Sequence, residues 1–247
     1  MIDCIIQARL GSTRYPRKIL QKISNNKTVL EFLLDQLQNS ERIDKIIIAT
    51  TDLDEDDKIV NFCQEKNILF FRGDRLNVLK RYYECAKNFK SKNIVRVTSD
   101  CPLIDPNLID YGIDKFYEGD YDYLTNSLEE TYPHGLDYQI LKFETLKTIF
   151  NNANLNSEKE HVIPYVINNK EKFKILNLKN KENFSKFRVT LDWPDDLILL
   201  KKIVNDVKSR PILMDDIVST FKKNPEYQKI NSTHPRHEGY TKSLLED

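Results

Sequence analysis

Four short apolar, β-branched runs constrain this chain more than anything else in it. They lie at residues 3–6, 46–50, 68–71 and 94–98, and they read as strands. Residues 29–37, 54–65, 78–89 and 107–117, between or after them, carry the period of amphipathic helices. Strand alternating with helix is the pattern of a parallel sheet covered on both faces, so the expected fold class is α/β. Asp105 followed by Pro106 is an N-cap with proline at the first helical position. In an open α/β sheet, ligands gather beyond the carboxyl ends of the strands. The residues that follow strands directly are therefore where function is sought.

The second half is less regular. A strand is expected at 121–126, a helix at 143–150, a helix at 158–168 bent or interrupted by Pro164, a strand at 187–191, and helices at 194–207 and 215–222. From residue 231 the chain is polar and without clear period, so residues 1–230 are expected to form one domain and 231–247 a polar C-terminal tail or loosely packed arm.

Lys plus Arg equals Asp plus Glu, 38 each, a balance that argues against a dedicated binder of nucleic acid or anionic membrane. It leaves room for a local basic pocket. Cys4, Cys63, Cys85 and Cys101 have neither disulfide-framework nor zinc-site spacing and read as reduced residues. The N-terminal run lacks the basic stretch and long apolar core of a signal peptide, and no apolar run approaches the length of a membrane span. A cytoplasmic location is the expectation.

The first strand runs straight into Gln7-Ala8-Arg9-Leu10-Gly11-Ser12-Thr13-Arg14-Tyr15-Pro16-Arg17-Lys18. Gly11 allows close backbone approach to an anion, Ser12 and Thr13 offer hydroxyls and amides, and Arg9, Arg14, Arg17 and Lys18 concentrate positive charge. The glycine spacing is neither that of a P-loop nor that of a dinucleotide fingerprint. Two readings follow from the loop alone: a triphosphate cradle or a solvated basic turn.

The loop resembles the N-terminal signature of the cytidylyltransferases that make CMP-activated sugar acids, the 3-deoxy-manno-octulosonate and acylneuraminate enzymes. It is more similar still to the spore-coat polysaccharide biosynthesis protein F family. Where that family usually has Leu-Pro-Gly-Lys, this chain has Tyr15-Pro16-Arg17-Lys18. The block Thr98-Ser99-Asp100-Cys101-Pro102-Leu103-Ile104 resembles the family's Gly-Asp-Cys-Pro-Leu-Ile, with Ser99 in place of glycine. Asp192-Trp193-Pro194-Asp195-Asp196-Leu197 resembles Asp-Thr-Pro-Glu-Asp-Leu, with Trp193 in place of a small polar residue.

Arg72-Gly73-Asp74 resembles the stretch that walls the nucleotide in related enzymes. Asn126, Tyr132-Pro133-His134-Gly135-Leu136-Asp137 and Glu160-His161-Val162-Ile163-Pro164-Tyr165 are similar to segments on the acceptor and dimer side. Matching blocks occur in the same order over roughly residues 2–200.

The resemblance implies a nucleotide-diphospho-sugar transferase (GT-A type) fold, with a small antiparallel extension near residues 121–180 that covers the acceptor and supports a homodimer. It implies a magnesium-dependent nucleotidyltransferase that couples CTP to a sugar acid, sugar or polyol phosphate, for surface glycan biosynthesis, and releases pyrophosphate. The implied nucleotide-binding residues are Ala8, Arg9, Gly11, Ser12, Thr13, Arg14, Lys18, Arg72, Gly73 and Asp74. The implied metal ligands are Asp100 and Asp192, which with Arg9, Arg14 and Lys18 make the catalytic set. Asn126, His134, Asp137, Glu160 and His161 are the implied acceptor residues.

Several of these positions also have structural readings. Asp105 reads as a helix cap, Asp195 and Asp196 as first-turn acids, Tyr82 and Tyr83 as packing residues, and His234 and His237 as exposed. His134 reads more readily as structural than catalytic, and for His161 a structural role stands level with acceptor contact. Two other functions stay open. One is a glycosyltransferase that consumes a nucleotide-sugar, for which Asp120-Tyr121-Asp122 has the spacing of a metal motif. The other is a catalytically idle binding partner in a glycan pathway.

Overall fold

The computed structural model describes residues 1–236, 238–245 and 247. The first half alternates as expected: β1 (Ile2–Gln7), α1 (Val29–Leu37), β2 (Lys45–Thr51), α2 (Asp57–Glu65), β3 (Leu69–Gly73), α3 (Val78–Phe89), β4 (Asn93–Thr98) and α4 (Pro106–Gly119). The second half contributes β5 (Tyr123–Thr125), β6 (Gln139–Lys142), α5 (Phe143–Asn152), α6 (Asn156–His161), α7 (Pro164–Asn168), β7 (Ile175–Asn177), α8 (Pro194–Asp206), α9 (Met214–Lys223) and α10 (Glu238–Leu244).

One seven-stranded sheet has the order β3-β2-β1-β4-β6-β5-β7. The first four strands are parallel, and β6 runs antiparallel to both of its neighbours. This is the mostly parallel α/β sheet with a small antiparallel extension.

Alternation along the strands splits the core in two. Cys4, Ile6, Ile48, Val95 and Val97 pack under α1, α2 and α4, whereas Ile5, Ile47, Ala49 and Ile94 pack under α3, α5, α6 and α7. A third cluster joins Ile23, Val29 and Phe32 to residues of α8 and α9 such as Leu199, Leu200, Ile203, Ile217 and Phe221. All four cysteines are free and buried. No helix among the described residues is long and apolar enough to cross a membrane.

Two expectations need correction. Residues 187–191 form no sheet strand. The amide of Val189 and the carbonyl of Phe187 bond to His134, but the amide of Leu191 turns to Asp100, so the pairing ends after one bridge. Gly135 permits this approach: at its φ of 109°, an added Cβ would lie 2.6 Å from the Thr190 amide nitrogen. The interruption expected in the helix at 158–168 is present: α6 ends at His161, α7 starts at Pro164, and Val162 between them has a φ of 71°. That conformation is strained for a β-branched residue. The segment from 231, expected as a tail, folds back over the domain and carries α10.

Candidate active site

The loop after β1 is pinned at its start by a buried carboxylate. Asp56 accepts the Leu10 amide at 2.7 Å and the Thr51 hydroxyl, which ties the loop to the end of β2. The loop then closes on itself, with Ser12 and Arg17 amides both bonded to the Leu10 carbonyl. Arg17 sits at φ 57° and ψ 26°, in the left-handed region. The family's glycine would adopt that conformation freely; here an arginine is held in it.

This turn delivers Lys18 into the domain. Its Nζ donates to Asp100 Oδ2 at 2.7 Å and to Asp192 Oδ1 at 2.9 Å. Arg14 reaches the same Asp192 oxygen. Arg188 Nη2 takes the other at 3.0 Å. Asp100 ends the turn after β4, and Leu191 N and Thr190 Oγ1 both bond to its carbonyl. The two aspartates are therefore held together by backbone as well as by the shared lysine.

Electrostatics follow from this arrangement. Burial favours the neutral Asp192 carboxyl, but Lys18, Arg14 and Arg188 outweigh it and hold the group far below the usual carboxylate range. Burial favours a neutral Lys18, and the two carboxylates overcome that and raise its proton affinity. Burial works against the charge of Arg188 as well, and its bonds to Asp196 and Asp192 outweigh it and raise its proton affinity.

Asp100 Oδ2 and Asp192 Oδ1 converge on Lys18 Nζ, and both carboxylates are partly exposed. Carboxylate oxygens are the donor type a hard divalent cation takes, one or two of them together with substrate phosphates. Among the described residues no group of three or more His, Cys, Asp and Glu could hold a metal by itself.

Asp196 is more than a first-turn acid. It is fully buried, and its carboxylate accepts Arg188 Nε at 2.9 Å, the amides of Asp192 and Trp193 at 2.8 and 2.9 Å, and Asn231 Nδ2 at 2.8 Å. It caps α8 and fixes the backbone that carries Asp192. Arg188 lies in the expected strand and Asp196 in a matched block, but their joint role with Asn231 in holding Asp192 was marked by no sequence signal.

Other expected residues fall into separate groups. Ala8 is buried with its amide on Ala49, Arg9 is half-buried, and Gly11, Ser12 and Thr13 line the loop's outer turn. Arg72 binds the carbonyls of Thr51 and Leu53 and the Asp57 carboxylate, Gly73 ends β3, and Asp74 accepts the amides of Leu76 and Asn77. These three residues serve local structure and do not join the Lys18 cluster. Asn126 spends both ends of its amide on the backbone of Leu136 and Tyr138, so it braces the turn that carries Asp137. His134 Nδ1 lies 3.4 Å from Asp137 Oδ2.

Glu160 and His161 meet the folded-back segment. Ser243 of α10 bonds both residues, and Tyr240 packs edge-on against the His161 ring. Burial, and further on the charge of Arg96, keep His161 below its usual proton affinity even though Glu160 pulls the other way. Arg14 also faces Glu238 of α10 at 3.6 Å. His234, expected to be exposed, stacks on Trp193 and bonds Asp195. His237 lies outside the described residues.

A mostly parallel sheet with a basic loop and a carboxylate beyond the carboxyl ends of its central strands, and a second carboxylate joined to them, is the frame of a nucleotide-handling α/β enzyme. The profile of the family described as Cytidylyltransferase matches residues 4–230. The chain belongs to the cytidylyltransferase family and is a nucleotidyltransferase. The spore coat polysaccharide biosynthesis protein SpsF of Bacillus subtilis is 29% identical over 232 residues, 90% of this chain and 94% of that protein. The structure of a cytidylyltransferase from Leptospira borgpetersenii superposes with a TM-score of 0.88 at 33% identity, over 95% of this chain and 98% of that one. A 3-deoxy-manno-octulosonate cytidylyltransferase of Syntrophotalea carbinolica is 30% identical over 112 residues, 45% of this chain and 44% of that protein.

Proposed function

We propose that this chain transfers a cytidylyl group from CTP to an acidic or phosphorylated sugar-type acceptor and releases pyrophosphate. The observation that carries the reading is the junction of Lys18 and Arg14 with Asp100 and Asp192, which joins the basic loop after the central strand β1 to two carboxylates. The family supports cytidine as the base. The relatives named for polysaccharide biosynthesis and for 3-deoxy-manno-octulosonate support a sugar acid, sugar or polyol phosphate on a surface-glycan route.

In this reading an acceptor oxygen attacks the α-phosphorus in line, a P–O bond forms, the α–β bridge breaks, and pyrophosphate leaves with its electron pair. Arg9, Arg14 and Lys18 bind the phosphates and stabilise the charge that builds on the leaving group. Asp100 and Asp192 would hold magnesium, which when bound supplies charge neutralisation at the phosphate oxygens. The Asp196–Arg188 pair keeps Asp192 in register, so positioning rather than covalent catalysis lowers the barrier. Cytoplasmic location and a homodimer built through residues 121–180 belong to the same reading; sedimentation velocity tests the dimer.

The glycosyltransferase alternative is less well supported. Asp120 and Asp122 are both tied to Lys142, and Asp122 also takes the Lys174 amide, so this motif serves the turn into β5.

The test is pyrophosphate release from each of the four nucleoside triphosphates, with magnesium and pooled sugar acids, sugar phosphates and polyol phosphates. Acceptor-dependent release with CTP alone is expected. Release of free nucleotide from a nucleotide-sugar instead would replace this reading with the glycosyltransferase.

A further inference from the structure

Among the described residues Arg81 and Arg96 are both buried without a carboxylate in ion-pair distance and with an unpartnered Nε; Arg81 donates to the Asp74 carbonyl in the turn before its own helix, whereas Arg96 is held by side chains from two other strands. Arg96 lies on β4, on the face where its neighbour Ile94 packs into the core, and it is only 8% exposed. Lys18 and Arg188 answer their burial with carboxylates. Arg96 has none: among the described residues no carboxylate lies within ion-pair distance of it, and its Nε has no hydrogen-bond partner. Its two Nη atoms donate to neutral amides, Gln7 Oε1 and Gln139 Oε1, each at 2.7 Å. The Tyr82 ring lies 5.2 Å below the guanidinium.

A buried cation paired only with neutral groups is expensive, and an unsatisfied buried N–H adds to the cost. An arginine fork clamped by two amides is also pre-oriented for a planar or tetrahedral oxyanion. Sequence and backbone bring it near the candidate site: Gln7 immediately precedes the loop after β1, its carbonyl accepts the Ser99 amide at 3.2 Å, and Asp100 follows. Gln7 and Gln139, which clamp the guanidinium, are themselves only half-buried.

We propose that Arg96, clamped by Gln7 and Gln139, forms an anion subsite that receives the acid group of the acceptor, a carboxylate or a phosphate. The proposal deepens the cytidylyl-transfer reading and rests on it for the identity of the ligand as acceptor. It restricts the acceptor to acidic sugars and excludes neutral ones.

The experiment is titration calorimetry without nucleotide on the full chain, with three probes: pooled sugar acids, pooled sugar phosphates and pooled neutral sugars. The wild-type chain is expected to bind one acidic pool and not the neutral pool. The acidic pool that binds identifies the group as carboxylate or phosphate. Arg96→Gln is expected to weaken that binding at least tenfold, to retain the rise in melting temperature given by CTP with magnesium, and to melt no lower than wild type. A purely structural arginine would show the reverse: a fallen melting temperature and unchanged acid binding.

Arg96→Lys guards against misfolding of the glutamine variant. It keeps the charge without the fork and is expected to lose affinity for the acidic pool by several-fold. Binding of neither acidic pool by wild type, equal binding of the neutral pool, or full acid affinity in both variants overturns the subsite. Acid binding that depends on Arg96 with no pyrophosphate release from CTP would instead overturn the transfer reading and leave the subsite standing.

Discussion

Asp100 and Asp192 share one lysine, yet they are held in place by different means. Asp100 follows β4, whose ladder with β1 and β6 sets where the strand ends and the turn begins. Asp192 follows a segment with a single bridge, and side chains position it: Asp196 grips its amide, Arg188 its carboxylate, and Asn231 locks Asp196 from the folded-back C-terminal segment. The first half of the site is thus built by backbone and the second by a buried polar network. Backbone placement tolerates loss of a side chain. Network placement does not, because removal of one member strands the others without partners.

The largest test of that contrast is Asp100→Asn. Turnover should fall about 10³-fold, equivalent to about 4 kcal/mol of barrier, while the melting temperature stays near wild type. Steady-state pyrophosphate release and thermal melting would be read together, and a large loss of stability would break the contrast. Asp196→Ala should behave oppositely, with a stability loss of about 3 kcal/mol in urea unfolding. The figure is at the low end for a broken buried pair because Arg188 keeps Asp192. A cost below about 1 kcal/mol would show that the network is not what holds this region.

The pH dependence gives a smaller effect. Burial raises the proton affinity of Asp196, but the bonds and charge of Arg188 and the Asp192 amide outweigh it, so the folded value lies below the ordinary 3.8. Its stabilisation is therefore complete above about pH 4 and is lost as pH falls through the folded value. The stability difference between wild type and Asp196→Asn should shrink below pH 4. A difference that stays constant with pH would detach the effect from ionisation. The smallest effect belongs to the backbone-built half. Arg17→Gly should relieve the left-handed strain and stabilise by about 1 kcal/mol, a rise of roughly 2–4 °C. An unchanged or lower melting temperature would mean that the Arg17 side chain makes compensating contacts.

The same contrast explains what could be read from the sequence. The parallel strands and the residues that follow them, Lys18 and Asp100 among them, were legible because period and position along the chain carry the information. β6 and β7, four and three residues long, have no sequence reading as strands, although the equally short β5 does. The segment at 187–191 has strand composition, but its partners, His134 and Asp100, belong to different segments, so no ladder grows. Arg188, Asp196 and Asn231 converge only in space. Arg72 and Asp74 resemble nucleotide-wall residues and Asn126 an acceptor residue; what the sequence does not show is that Arg72 bonds two carbonyls and Asp57, Asp74 two amides, and Asn126 the backbone of Leu136 and Tyr138.

The third hydrophobic cluster has a consequence for the newly made chain. Val29 and Phe32 pack against α8 and α9, which are made after most of the rest of the chain. At 5–20 residues per second, those partners trail α1 by roughly 10–40 s. During that interval Val29 and Phe32 lack these partners, while Leu30, Leu33, Leu34 and Leu37 have theirs in the earlier strands. A chaperone that captures apolar helices would engage this protein early in synthesis and release it only when the C-terminal quarter arrives.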